Sequence, residues 1–152
     1  ACIAEPLAIH TDASEREMKQ RVDELLDAVR LQREFADRYP HELSGGQKQR
    51  ASLARALALQ PELVIADEPT SALDVSVQAT VLELFAELQK QLGFASLFIT
   101  HDLAVVNQVA DRIAVLKEGV LVEQGSVTRL MHDPKDDYTK RLLASRPHPD
   151  PE

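Results

Sequence analysis

The stretch Leu63-Val64-Ile65-Ala66-Asp67-Glu68-Pro69-Thr70 decides the fold. Four apolar residues in a row, two of them β-branched, have the composition of a strand buried in a parallel sheet. Two carboxylates and a proline then end it abruptly. Downstream, Asp74 to Leu92 carries Val81, Leu84, Phe85, Leu88 and Leu92 on one helical side, and Gly93 stands where a helix can close. Ala95–Thr100 is a second buried strand. A right-handed crossover through the long helix makes the two strands parallel neighbours. Asp67, Glu68 and His101 are therefore expected at one sheet edge, the edge where open parallel sheets bind ligands.

Upstream of this unit, Ser14-Glu15-Arg16-Glu17 reads as a capping box. It opens a helix with Met18, Val22, Leu25, Leu26 and Val29 on one face. A short segment around Arg33–Tyr39 stops at Pro40, and a further helix is expected from Gly45 to about Leu59, before Gln60-Pro61. Ala1–Thr11 shows no period and reads as an irregular lead-in. After the second strand come a short helix over Asp102–Ala110 and a hairpin, Arg112–Lys117 with Val120–Gln124, turning at Glu118-Gly119. Two short helices, Ser126–Met131 and Asp137–Ser145, follow. The alternating Pro147, Pro149 and Pro151 point to a disordered tail. The class is α/β with a parallel core.

Composition narrows the function. The 152 residues include 17 basic and 25 acidic ones, a formal charge of −8, which is the wrong sign for a nucleic-acid binder. No apolar run approaches the ~20 residues that cross a bilayer. Cys2 is the only cysteine, so no intrachain disulfide forms, which fits a cytosolic setting. None of the five glycines is followed by lysine, which excludes a phosphate-binding G-x-x-x-x-G-K-[ST] loop from this sequence.

Three constellations carry chemistry. Ser44 and Gln47 bracket Gly45-Gly46 in a second capping box, and each glycine in a first helical turn costs about 1 kcal/mol against alanine. A bare turn lets an anion sit on the helix N-terminal N–H groups. The same pattern also serves as an ordinary helix cap. Asp67 after a strand suits Mg²⁺, which takes hard oxygen ligands and keeps several waters. Glu68 beside it can orient or deprotonate a water attacking a phosphoryl group. An acidic loop after a strand has the same composition. His101, in Thr100-His101-Asp102, ends the second strand; His10, His41, His132 and His148 have no comparable setting.

Together these stretches resemble ATP-binding-cassette (ABC) ATPases. Leu43-Ser44-Gly45-Gly46-Gln47 with Lys48-Gln49-Arg50 looks like the family signature, and Leu63–Thr70 like the Walker B segment. Ser71-Ala72-Leu73-Asp74 is similar to the D-loop, and Thr100-His101-Asp102 to the switch histidine. The order and spacing match from about Glu5 to Ala144. Tyr39-Pro40-His41-Glu42-Leu43 and the ending Asp133-Pro134 to Leu142-Leu143 look like the oligopeptide, dipeptide and nickel importer branch. The resemblance implies a P-loop NTPase-like fold in which Ser44, Gly45, Gly46 and Gln47 contact the γ-phosphate of an ATP held mainly by a partner domain. It implies that Asp67 supports Mg²⁺, Glu68 polarises the attacking water, His101 contacts the γ-phosphate and Asp74 couples two sites across a dimer.

The partners implied are a second ABC ATPase domain, transmembrane permease subunits and, indirectly, a solute-binding protein, at the cytoplasmic face of the cell membrane and with no nucleic acid. The expected division is a helical subdomain with the signature over 1–61, the C-terminal half of the ATPase core over 62–131, and a C-terminal helix with its tail over 132–152. The family's Walker A loop, adenine-stacking aromatic and glutamine loop are not in this sequence, which looks like the C-terminal two-thirds of one cassette. Two other readings stand beside a peptide importer's ATPase subunit: a non-transport ABC ATPase, and a short interaction module lending its signature to a complete partner. Without a Gly-Lys pair, the chain by itself is expected neither to bind ATP tightly nor to hydrolyse it. Isothermal calorimetry checks this, and micromolar binding with turnover that Glu68→Gln abolishes is the result against it.

Overall fold

A computed structural model describes residues 3–144. The chain divides into two compact units, one ending at Ile99 and one beginning at Thr100.

In the first unit the helices are α1 (Glu5–His10), α2 (Glu15–Ala28), α3 (Gly45–Ala56) and α4 (Val75–Leu92), with the strands β1 (Leu63–Asp67) and β2 (Ala95–Ile99). Two single-turn 3₁₀ segments, Arg33–Asp37 and Pro40–Glu42, join α2 to α3. The capping box of α2 forms as the sequence predicts: Glu17 N–H donates to Ser14 Oγ, and the Glu17 carboxylate accepts from the Ser14 N–H at 2.8 Å. Helix α1 corrects the expectation of an irregular lead-in. It is six residues long, too short to show a period, yet Pro6 sits in the first turn, where its missing N–H costs nothing, and Leu7 is buried. Helix α3 stops at Ala56, three residues before the expected Leu59. The Arg21 guanidinium of α2 takes up the carbonyls of Leu57 and Ala58 there, at 3.3 and 3.4 Å.

Helix α4 runs as expected, capped by Asp74 and ended by Gly93 in the left-handed region (φ +74°). Its buried stripe differs at one position: Leu92, in the last turn, is exposed and Leu82 is buried instead. The strands pair in parallel, from Leu63 opposite Ala95 to Asp67 opposite Ile99. They are not buried on both faces. Val64 points into the core and Phe98 packs against it, whereas Leu63, Ile65, Leu97 and Ile99 remain exposed. Fully enclosed Leu26, Val29 and Ala54 lie in the core cluster with Leu57, Leu84, Phe85, Leu88 and Phe94. Phe85 meets Phe94 and Phe98 edge-on at 5.7 Å, the arrangement aromatic quadrupoles favour.

The second unit holds α5 (Leu103–Val109), β3 (Arg112–Lys117), β4 (Val120–Ser126), α6 (Val127–His132) and α7 (Asp137–Ala144). The hairpin turns at Glu118-Gly119 with φ of +50° and +79°, the signs a tight hairpin turn requires. Strand β4 continues two residues past the expected Gln124, and Ser126 then caps α6 by accepting the Arg129 N–H at 3.3 Å. The expected tail lies outside the described residues.

Glu123, buried on β4, organises this unit. Its carboxylate accepts the backbone N–H groups of Lys135 (3.0 Å) and Asp136 (3.1 Å) and the Arg129 guanidinium (3.2 Å), fixing the approach to α7. These donors, the Lys135 N–H above all, hold the carboxyl below the ordinary glutamate range. A depressed folded-state pKa stabilises above the unfolded value and loses that contribution as pH falls through the folded value. Acid unfolding of this unit is therefore expected to begin below about pH 4.3, the unfolded glutamate value. Glu123→Gln should lower stability at neutral pH and flatten its acid dependence, read from circular-dichroism melts between neutral and acid pH.

Candidate functional site

The first turn of α3 holds Ser44 and Gln47 as the sequence predicts. Gln47 N–H donates to Ser44 Oγ at 3.3 Å, and Gln47 Oε1 accepts the Ser44 N–H at 2.9 Å. That reciprocal pair leaves the Ser44 hydroxyl proton, the Gln47 amide NH₂ and the first helical N–H groups, Gly45 and Gly46, without an intrahelical acceptor. No acidic residue lies in this turn to neutralise the helix dipole.

The glycines have a second cause, missed from the sequence. A Cβ on Gly46 would sit 2.6 Å from Val77 Cγ1, and one on Gly45 would sit 3.1 Å from Leu73 Cδ2. Gly46 is buried by this contact and Gly45 stays exposed. The first turns of α3 and α4 thus abut, and Asp74, the N-cap of α4, lies beside the signature turn in the same unit. Its carboxylate accepts the Val77 N–H at 3.0 Å and the Ser76 hydroxyl at 2.8 Å. Those bonds, the Val77 N–H first, hold its pKa below the ordinary aspartate value. Arg50, read in the sequence as part of the signature stretch but given no role there, pins the turn from behind by donating to the carbonyls of Arg30 (3.1 Å) and Gly46 (3.4 Å).

Asp67 and Glu68 lie at the carboxyl end of β1. Asp67 is exposed, paired in register with Ile99 at the carboxyl end of β2. Glu68 is half-buried, with φ of +47°, and its N–H donates to the Ile99 carbonyl at 2.9 Å. Its own carbonyl accepts both the N–H (3.3 Å) and the hydroxyl (3.1 Å) of Ser71. Asp67, Glu68, Pro69 and Thr70 line a cavity of about 340 Å³ together with Gln49 and Ser52 of α3 and Phe85 of α4. No group of three or more His, Cys, Asp or Glu side chains is placed to hold a metal among the described residues. A lone strand-end Asp with Glu beside it suits Mg²⁺ nonetheless, because that ion is usually held by one or two carboxylates plus substrate phosphates and water.

His101 belongs to the second unit. It is exposed on the turn into α5, between Thr100, whose hydroxyl oxygen accepts the Asp102 N–H at 3.0 Å, and Asp102, whose carboxylate accepts the Ala104 N–H at 2.8 Å.

With these positions fixed, the likenesses to known proteins can be read. The ABC transporter family profile matches residues 4–71. The oligopeptide transport ATP-binding protein OppF of Bacillus subtilis is 54% identical over 151 residues, covering 99% of this chain and 50% of that protein. The di/tripeptide transport ATP-binding protein DppF of Pseudomonas aeruginosa is 50% identical over 151 residues, 98% of this chain and 47% of its own length.

Residues 4–71 carry the ABC transporter family's domain, and nearly the whole chain is similar to ATP-binding-cassette proteins.

Its fold agrees: the dimeric ATP-binding cassette MJ0796, bound to ADP and Pi, superposes with a TM-score of 0.70 at 34% identity, over 82% of this chain and 54% of that one. The chain spans about half the length of these cassette relatives. No helix among the described residues is long and apolar enough to cross a membrane.

The glycine contact gives a direct test of why the cassette's signature turn is bare. Gly46→Ala is expected to destabilise the first unit by about 1–3 kcal/mol, the usual cost of overpacking. Val77→Ala in the same chain should recover most of it. Urea denaturation of the single and double variants measures both, and a neutral Gly46→Ala would mean that packing does not require the glycine.

Proposed function

We propose that this chain supplies the signature turn and the hydrolytic carboxylates of an ATPase that powers the import of peptides or a related small solute. The observation that carries the reading is the pair Asp67-Glu68 at the carboxyl end of parallel β1, with Glu68 tied by its N–H to the end of β2. The likeness to peptide-transport ATP-binding proteins supports the solute class. In this reading residues 1–61 are the helical subdomain, 62–131 the second half of the catalytic core and 132–152 the C-terminal helix with its tail.

The signature turn of one cassette meets the ATP bound by another. The Gly45 N–H, the Ser44 hydroxyl and the Gln47 amide donate to γ-phosphate oxygens, and the helix dipole adds its positive end. Asp67 holds Mg²⁺, which offsets phosphate charge at that edge. Glu68 orients the attacking water and accepts its proton as the bond from γ-phosphorus to the bridging oxygen breaks. His101 donates to the γ-phosphate, and Asp74, fixed as a helix cap beside the signature turn, couples the two sites across the dimer. Positioning and charge neutralisation dominate phosphoryl transfer, so a site divided between two chains loses little. The partners are a second ABC ATPase domain and transmembrane permease subunits, with a solute-binding protein acting through them, at the cytoplasmic face of the membrane.

Two variants in the complete cassette separate the roles. Glu68→Gln removes the proton acceptor and leaves the phosphate ligands, so turnover should fall by roughly 100-fold or more while ATP-bound dimers accumulate. Ser44→Arg puts a bulky side chain in the phosphate seat, so turnover should fall with no dimer accumulating. Size-exclusion chromatography with ATP distinguishes them. A Glu68→Gln protein that hydrolyses at the parent rate removes Glu68 from the mechanism.

A further inference from the structure

Among the described residues, four other than glycine have positive φ: Arg30 (57°), Gln60 (51°), Glu118 (50°) and Glu68 (47°). Arg30 lies just beyond the end of α2, Gln60 closes a Leu57–Gln60 turn four residues after α3, and Glu118 lies in the hairpin turn. Left-handed backbone is ordinary at Arg30 and Glu118, and Gln60, which like Glu68 precedes a proline, follows a turn rather than a strand. Glu68 is different. It follows a strand directly and precedes Pro69, two circumstances that both favour extended backbone. A residue kept in a disfavoured conformation has to be over-determined by its surroundings.

The surroundings act on both sides of Glu68. Ahead of it, the N–H is fixed to the Ile99 carbonyl at 2.9 Å. Behind it, the carbonyl takes two donors from one residue, the Ser71 N–H at 3.3 Å and the Ser71 hydroxyl at 3.1 Å. Pro69 occupies the second position of this Glu68–Ser71 turn, where its fixed φ is suited. The next turn bond, Leu73 N–H to the Thr70 carbonyl at 3.1 Å, leads the chain into the Asp74 cap of α4. Ser71 is exposed, so its hydroxyl fills no core.

We infer that Ser71 is a positioning residue for Glu68: its hydroxyl bond to the Glu68 carbonyl holds the left-handed backbone that aims the Glu68 carboxylate. The direction of a Cα–Cβ bond follows φ and ψ, so loosening the carbonyl, left with the longer Ser71 N–H bond alone, lets Glu68 relax toward extended backbone and swings its side chain away. This rests on the reading of Glu68 as the hydrolytic carboxylate.

The test uses the complete cassette and steady-state ATP hydrolysis. Ser71→Ala keeps the backbone donor and removes the hydroxyl; kcat is expected to fall by roughly 10- to 100-fold, the scale of a misplaced catalytic group. The KM for ATP and the ATP-driven dimerisation should stay at parent values, because no phosphate ligand has changed. Ser71→Thr restores the hydroxyl and should restore kcat. Ser71→Cys, similar in size but a weak donor, should behave as the alanine variant does, and it serves if Ser71→Ala melts early. Amide exchange across Asp67–Ser71 should quicken in both low-activity variants.

Glu68→Gln is run alongside. If it retains the parent rate, the assignment of Glu68 fails. If it loses activity while Ser71→Ala turns over normally, the inference about Ser71 alone is overturned. A loss that appears in KM or in dimerisation with kcat intact also overturns it, because Ser71 would then be touching nucleotide or the partner rather than aiming Glu68.

Discussion

The contact between Gly46 and Val77 sets the distance between two helices, and much of the first unit follows from that distance. With a Cβ at position 46 the methyl of Val77 would have to move, since the two would stand 2.6 Å apart. Glycine in a first turn costs helix stability, and the close approach of α3 to α4 is what offsets it. Because both helices begin at this contact, the signature turn and the Asp74 cap share one rigid neighbourhood. From Asp74 the chain runs back through Leu73, Thr70 and Ser71 to Glu68 by short turn bonds. A shift of α4 by a methyl group's width would therefore be felt at the strand end as well as at the signature.

Charged side chains support the helices around this contact in two ways. Arg50 and Arg21 donate to carbonyls of neighbouring chain ends, so each satisfies backbone groups that helix termini leave open. The pairs Arg30–Glu87 and Arg55–Glu5, both at 2.6 Å, are half-exposed on each side and add little by comparison. The aromatic trio Phe85, Phe94 and Phe98 supports β2 from beneath. It also reaches the cavity edge where Glu68 lies, so one cluster serves both the core and the candidate site.

What the sequence made legible was local. Ser14 with Glu17, Ser44 with Gln47, and Glu118-Gly119 each complete their signal within four residues, and each forms as read. The parallel pairing of β1 and β2 was also readable, because the hand of a crossover is nearly invariant. What escaped depended on residues far apart in the chain. Helix α1 is anchored by one buried leucine rather than a period, and α3 ends where Arg21, on another helix, meets its carbonyls. The four-residue apolar run of β1 looked enclosed on both faces, although only Val64 is buried. An unbroken apolar run has no alternation to reveal which face is covered. At the site, the types and order of Ser44, Asp67, Glu68, Asp74 and His101 were visible. The reason for Gly46 was not, since Val77 imposes it from a distance, and neither was the backbone state of Glu68, which Ile99 and Ser71 hold from either side.

The open face of the two-stranded sheet has a consequence for the stability of the strands that carry Asp67 and Glu68. Leu63, Ile65, Leu97 and Ile99 present adjoining apolar side chains on strands that each have one unpaired side in this sheet. Such a surface recruits further strands and greasy partners without discrimination. A sheet of two strands also has little independent stability. A segment or partner that packs on this face would therefore supply stability that the two strands lack by themselves.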